Sequence, residues 1–433
     1  MALAKKLIES ILARDFDDQF RYLYKTGIDE QRQRYCAALE HFGTLFGPDR
    51  DVWIFSAPGR TELSGNHTDH QHGRVLAAAV TLDVLAIVSP RPDKLVDLRS
   101  EGFRPCQLDL ADLAMHESER DSSVALVRGI AADLNRLGFQ IGGFDAYTIS
   151  QVPAGSGLSS SAAFETLLGT IFSHLYNDGR IEAIQIAKTG QFAENIYFGK
   201  PCGLMDQTAS ACGNVISIDF ANPAMPQVEG IEFDFTSLGY SLYVVSAGGS
   251  HADLTGEYAA IPAEMKQVAA CFGQEVLRNV DRSAFYAQLA DLRNKVSDRA
   301  VLRAMHFFEE NDRVSQQVDA LRKQDISEYI RLMQASGDSS AMKLQNIYPT
   351  PNTQERSLLL ALAICQQLLS GRGAWRVHGG GFAGTVQALV PNDLRDDFQT
   401  EIEKVFGRGT CSELFVRAAG GYCFVAGHEV SHA

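Results

Sequence analysis

The 433-residue sequence has no run of about 18 consecutive apolar residues, and so no candidate membrane span. It also lacks any surplus of positive charge. A formal net charge of −14 argues against non-specific binding to nucleic acid or to an anionic membrane, both of which need a basic surface. The eight cysteines, Cys36, Cys106, Cys202, Cys212, Cys271, Cys365, Cys411 and Cys423, include no C-x-x-C pair and no Cys/His spacing suited to zinc. Reduced, mostly buried thiols in a cytoplasmic protein are therefore expected. Residues 1–14 have apolar positions at helical spacing but neither a long apolar core nor a small-residue cleavage site, so they do not read as a signal peptide. There is no internal repeat and no low-complexity tract.

What is present is a chain that is 45% apolar and long enough for two packed domains. Residues 1–47 read as amphipathic helices, with Gln31, Arg32, Gln33 and Arg34 forming one solvated turn. Short β-type runs follow at 52–57, 75–88 and 144–150, separated by loops rich in Gly, Pro, Asp and His. Helical spacing predicts helices at 159–176 and 181–198, a hairpin near 213–222 and a strand at 242–246. Further helices are predicted at 263–280, 296–323 and 353–370, then a strand–glycine–strand unit at 375–390. The division between domains is expected between 215 and 240, giving lobes of 1–225 and 226–433.

The segment PAGSGLSSSAA at 153–163 follows a strand and opens a helix. Small residues allow close backbone approach, and the N–H groups of a helix start face an anion, so this is a candidate phosphate cradle. It is not a Walker loop, because no Gly-Lys-Ser/Thr follows the glycines. Alone it is equally a capped tight turn. Two other segments decide between these readings: APGRTELSGNHTDHQHG at 57–73 and RVHGGGFAG at 376–384.

Together, in this order and spacing, the three segments resemble the motifs of the GHMP kinase superfamily, and the first resembles the galactokinase signature. The resemblance runs from about residue 46 to the C-terminal end and includes CGLMDQ at 202–207, GEY at 256–258 and residues 299–314. It implies an α/β (α+β) fold in two lobes. The first would be like the second domain of ribosomal protein S5 and the second ferredoxin-like, with the site between them. It also implies ATP and a small sugar as ligands, Mg²⁺ as cofactor, and a monomer or weak homo-oligomer.

Residue by residue, the resemblance makes Asp206 the carboxylate that takes the proton of the sugar's anomeric hydroxyl, with Arg60 beside it. Gly155, Ser156, Gly157, Leu158, Ser159, Ser160 and Ser161 would wrap the nucleotide phosphates, and Ser161 and Glu194 would ligate Mg²⁺. Asn66, His67, Asp69, Gly203 and Tyr258 would hold the sugar. Glycines 379–381 would support the phosphate loop from the second lobe.

Some positions depart from the family. Asn66 stands where galactokinases carry a Glu that contacts the sugar's C6 hydroxyl, a change expected to cost about 1 kcal/mol. A C6 carboxylate would meet the usual Glu with about 4 kcal/mol of repulsion at ~4 Å and an effective dielectric near 20. Asn66 lifts that barrier, which makes galacturonate the alternative substrate, and His70-Gln71 points the same way. Residues 259–262 lack an arginine pair, and Gly337 stands where the family has Ser-His. A catalytically silent sugar and ATP sensor is the reading from another class. The complete serine run at 159–161, with Arg60 and Asp206 present, argues against it. A mevalonate or homoserine kinase would lack the His-Thr-Asp sugar segment.

Overall fold

The computed structural model describes residues 2–153, 156–248, 254–349, 354–382 and 384–424. Two sheets organise the chain, one in each lobe.

The first sheet is built on a long antiparallel pair, Asp51–Ser64 with Arg74–Pro90. Alternate residues of these strands face opposite sides. Val52, Ile54, Leu85 and Ile87 pack on the N-terminal helices Ala4–Leu12, Asp17–Tyr24 and Ile28–Phe46. Phe55, Ala57, Val84, Ala86 and Val88 face the main core, formed with Ser123–Arg136, Ser160–Tyr176 and Met205–Cys212. Burial on both faces explains why the strands read as continuous apolar runs. Phe144–Ser150 pairs with the second strand and, in parallel, with Leu95–Ser100.

The second sheet is antiparallel, in the order Ala374–His378, Gly384–Pro391, Tyr240–Gly248, Cys411–Leu414. Helices Ser357–Leu369 and Arg395–Phe406 cover one face through Leu358, Ala361, Cys365, Leu369, Phe398 and Ile402. The long helix Asp298–Arg322 and its neighbour Ile326–Ser339 bring Val314, Val318, Leu332 and Met333 into the main core beside Ala374 and Leu389 of that sheet. The α/β (α+β), two-lobed architecture is thus the one expected.

Several details differ from the sequence reading. The helix read over 181–198 is α-helical over Ala183–Phe192 and then widens to a π-helix, Ala193–Phe198. The helix read from 263 starts earlier, at Thr255, and runs through Pro262 to Ala270. The turn at 31–34 is not simply solvated: Arg32 reaches Asp17, and Arg34 donates to the fully buried Asp83 at 2.6 Å. Asp83 is a centre of charge in the core, also bonded by Tyr24, Ser56 and Arg417. The 225/226 boundary falls just before Gln227–Ile231, which pairs in the first sheet, as does Tyr422–Phe424 far along the chain. All eight cysteines are free. Three are buried and five half-buried, because Cys212 and Cys271 close helices and Cys202 lies in a loop. Among the described residues no helix is long and apolar enough to cross a membrane. The expected start of the helix at 353 lies outside the described residues.

Candidate active site

The pairing of Asp51–Ser64 with Arg74–Pro90 shifts register between Pro58 and Arg60. The irregularity turns the Arg60 N–H onto the Leu158 carbonyl at 3.0 Å. A Cβ at Gly59 would lie 2.8 Å from that same oxygen, so only glycine lets the strand and the phosphate loop touch here.

Arg60 then reaches Asp206 with two parallel bonds, Nε to Oδ1 at 2.8 Å and Nη2 to Oδ2 at 2.7 Å, and donates its Nη1 to the Gly157 carbonyl at 2.5 Å. This fork fixes the carboxylate plane. Ser159 donates its hydroxyl to Asp206 Oδ2 at 2.5 Å and holds φ +55°, a left-handed value costly for a serine. Burial works to raise the Asp206 carboxyl, but the charge and hydrogen bonds of Arg60, with the Ser159 bond, outweigh it and hold the group below the usual aspartate value. The carboxylate is ionised, and about a third of its side chain stays open to a ligand.

The phosphate loop leads from Ser156 into helix Ser160–Tyr176. Gly155 lies outside the described residues. Gly157 has φ +72°, and a Cβ there would meet Thr385 Oγ1 at 2.7 Å and His378 Nδ1 at 3.0 Å. The second sheet therefore backs the loop through His378 and Thr385. Gly379, Gly380 and Gly381 face the sugar segment instead: their carbonyls accept from Asn66, His67 and Tyr258 respectively.

Glu194 sits in the π-helical turn, where the widened backbone aims it back at the phosphate loop. Its Oε1 accepts from Ser161 at 3.3 Å and from Lys200 Nζ at 3.0 Å, and its Oε2 accepts from Gln207 at 2.9 Å. The same Gln207 amide nitrogen donates at 3.0 Å to Glu165, a fully buried carboxyl. Burial and the neighbouring Glu194 charge push Glu165 well above the usual glutamate range. Gln207, Glu165 and Lys200 escaped the sequence reading, although Gln207 follows Asp206 in the quoted CGLMDQ segment.

His67 and Tyr258 meet at glycines 380–381, and Gly203 lies against Asp69. His67 has φ +60°, and its Nε2 bonds the Gly380 carbonyl at 2.9 Å. Burial, with the nearby His70, lowers its pKa to about 4. The ring is therefore neutral, Nε2 carries the proton, and Nδ1 is an acceptor. A Cβ on Gly203 would lie 2.5 Å from Asp69 Oδ2. Gly203→Ala is accordingly expected to displace Asp69 and raise the sugar KM about tenfold or more, with nucleotide affinity unchanged, as read by steady-state kinetics beside nucleotide titration.

Asn66 adjoins this group at the same glycine turn, but its amide is already engaged. It is fully buried, its amide nitrogen donates to Glu62 Oε1 at 2.9 Å and to the Gly379 carbonyl at 2.5 Å, and its oxygen accepts from Asn346 at 2.6 Å. Behind it, Glu62 pairs with the fully buried Arg376 at 2.9 Å. The segment is held from the second lobe by helix Asp298–Arg322. Glu310 accepts from Ser64 Oγ at 2.9 Å and from the Gly65 N–H at 3.0 Å, and His306 Nε2 donates to the Asn66 carbonyl at 3.0 Å. Gly337 packs its backbone on Trp375 and Arg376: a Cβ there would be 2.8 Å from the Trp375 carbonyl, so no side chain fits.

The first lobe thus combines a glycine-rich loop opening a helix, an arginine-gripped aspartate and a carboxylate beside the loop's last serine, with the second sheet backing the loop at Gly157. A family model of the GHMP kinases N terminal domain matches residues 125–214. The fold is similar to Methanococcus jannaschii mevalonate kinase at 16% identity and a TM-score of 0.60, over 84% of this chain and 98% of that one. The fold and loop thus define a GHMP kinase.

The sugar segment narrows the class. A model of the galactokinase galactose-binding signature matches residues 40–90. The crystal structure of Lactococcus lactis galactokinase complexed with galactose is similar with a TM-score of 0.76 at 24% identity, over 88% of this chain and 98% of that one. A galactokinase of Streptomyces coelicolor is 34% identical over 377 residues, 85% of this chain and 92% of its own. The chain belongs to the galactokinase family, and it is an ATP-dependent sugar kinase.

Proposed function

We propose that the protein phosphorylates the anomeric hydroxyl of galactose, with Asp206 as general base. What supports this reading is Asp206, gripped by Arg60 and by Ser159 of the phosphate loop, in the same CGLMDQ segment as Gly203, which lies against Asp69. Phosphoryl transfer asks little covalent work of the protein beyond alignment and charge. The sugar's C1 oxygen forms its bond to the γ-phosphorus, its proton passes to Asp206, and the bond to the ADP oxygen breaks. Arg60 orients the carboxylate and faces the developing charge. Asp69 and the neutral His67 accept from sugar hydroxyls, and Tyr258 stands over the glycine turn beside them.

Glu194 and Ser161 offer one carboxylate and one hydroxyl oxygen facing each other, a hard donor pair that fits Mg²⁺ completed by phosphate oxygens and water. Bound there, Mg²⁺ would offset charge on the β- and γ-phosphates.

Galacturonate is the second reading, favoured by Asn66. Against it stands Glu62, which restores a carboxylate 2.9 Å from the Asn66 amide, itself balanced by Arg376. ADP release with Mg-ATP, measured in parallel for galactose, galacturonate, N-acetylgalactosamine, arabinose and glucose, decides. Highest kcat/KM with galactose is expected. A preference for galacturonate would transfer the specificity to Asn66, and nucleotide binding without turnover on any sugar would make the protein a sensor.

A further inference from the structure

The loop between the π-helical turn and helix Met205–Cys212 carries Lys200, to which the mechanism above assigns nothing. Its Nζ lies 3.0 Å from Glu194 Oε1, the same oxygen that accepts from Ser161. An ammonium thus occupies the place where a cation bound by Ser161 and Glu194 would sit. Its charge also helps to lower the Asp206 carboxyl.

Three observations show that this pairing is made to be exchanged. The Lys200 side chain is 61% exposed, while that of Glu194 is 4% exposed, so the lysine can leave and the carboxylate cannot. Its loop is nonetheless anchored, by the Lys200 N–H on the Glu194 carbonyl and the Cys202 N–H on Asn195 Oδ1. Two neighbouring cations among the described residues are committed elsewhere: Arg60 to Asp206 and Gly157, and Arg120, which lies against Gly199, to Glu117. A metal–triphosphate arriving at Glu194 needs the oxygen that Lys200 holds. The displaced ammonium has three donors, a flexible stem and, within reach, the most concentrated negative charge in the site.

We propose that Lys200 is a phosphate-binding residue: it neutralises Glu194 in the nucleotide-free protein and turns onto the polyphosphate when the metal–nucleotide binds. This rests on the kinase reading and adds a contact to it.

The test is calorimetric titration of the full chain with Mg-ATP, Mg-ADP and adenosine, for wild type, Lys200→Ala and Lys200→Arg, beside their melting curves and sugar turnover. Lys200→Ala is expected to weaken Mg-ATP binding about tenfold and Mg-ADP binding less, to leave adenosine binding and melting unchanged, and to be largely rescued by arginine. If Lys200 merely fills the metal's place, its removal frees Glu194, and Lys200→Ala will bind Mg-ATP as tightly as wild type or more tightly, which overturns the proposal. Nucleotide binding is read without sugar, so failure of the galactose reading would show in wild-type turnover and leave this comparison intact.

Discussion

Asp206→Asn is expected to lower kcat by roughly 10²–10⁴-fold while sugar and nucleotide still bind. Asparagine keeps the shape and can still accept from Arg60 and Ser159, but it cannot take a proton. Because Arg60 holds the wild-type carboxyl below the ordinary aspartate value, the base is charged throughout the neutral range. The acid limb of the kcat/KM profile should therefore lie below about pH 4, and the profile should show no Asp206 inflection near neutrality. Steady-state ADP release across pH, with calorimetry for binding, reads both effects. A variant within tenfold of wild type would remove Asp206 as the base.

Glu310→Ala should cost about 3–5 kcal/mol of stability, because it breaks a buried pair and strands several donors at once. The carboxylate is fully buried, paired with Arg313, and accepts from Ser64, the Gly65 N–H and Ser336. Burial alone would raise its pKa, but the Arg313 charge outweighs it and holds the group well below the usual glutamate range. A lowered folded pKa means that its contribution is fully present above the unfolded value, about 4.3, and is lost as pH falls from there through the folded value. The gap between wild-type and variant denaturation midpoints should thus be widest above about pH 5 and narrow in more acid buffer. A gap that widened toward low pH would contradict the assignment. Since Gly65 leads directly into the sugar segment, a raised sugar KM should accompany the stability loss.

Much of this site was legible because its pieces lie in short local motifs. The phosphate loop, Arg60, His67, Asp69, Gly203 and Asp206 lie in the segments that carry the family resemblance, and the fold joins Arg60, the loop and Asp206 and sets Gly203 against Asp69. What stayed hidden comes from elsewhere in the sequence and depends on packing. Glu310 and Arg313 lie in the charged run EENDR at 309–313 of the predicted helix, where nothing marks which charges face inward, yet Glu310 is fully buried and Arg313 is 8% exposed. Glu165 occupies a helix position whose burial no periodicity marks, since almost every side of Ser160–Tyr176 is covered. The surroundings of Asn66 were hidden for a related reason. Its partners Glu62, Asn346 and Gly379 include two from the other lobe, so nothing adjacent to it shows that its amide is already engaged.

The chain's last described strand, Tyr422–Phe424, pairs with Ile54, Phe55 and Ser56 in the first half of Asp51–Ser64, and Arg417 reaches back to Asp83. Phe424 packs its ring among Phe16, Phe20 and Tyr35 of the N-terminal helices. The first lobe is therefore completed by residues synthesised long after its own first strands and helices. Until they emerge, the nascent polypeptide carries an open sheet edge, an apolar hollow and a buried aspartate short of one of its cations, all hazards for a chain waiting to fold. Ribosome-stalled chains ending before residue 411 should consequently be captured by chaperones and cut by protease within the first lobe, while chains stalled on an added linker long enough to bring residue 424 out of the ribosome should resist.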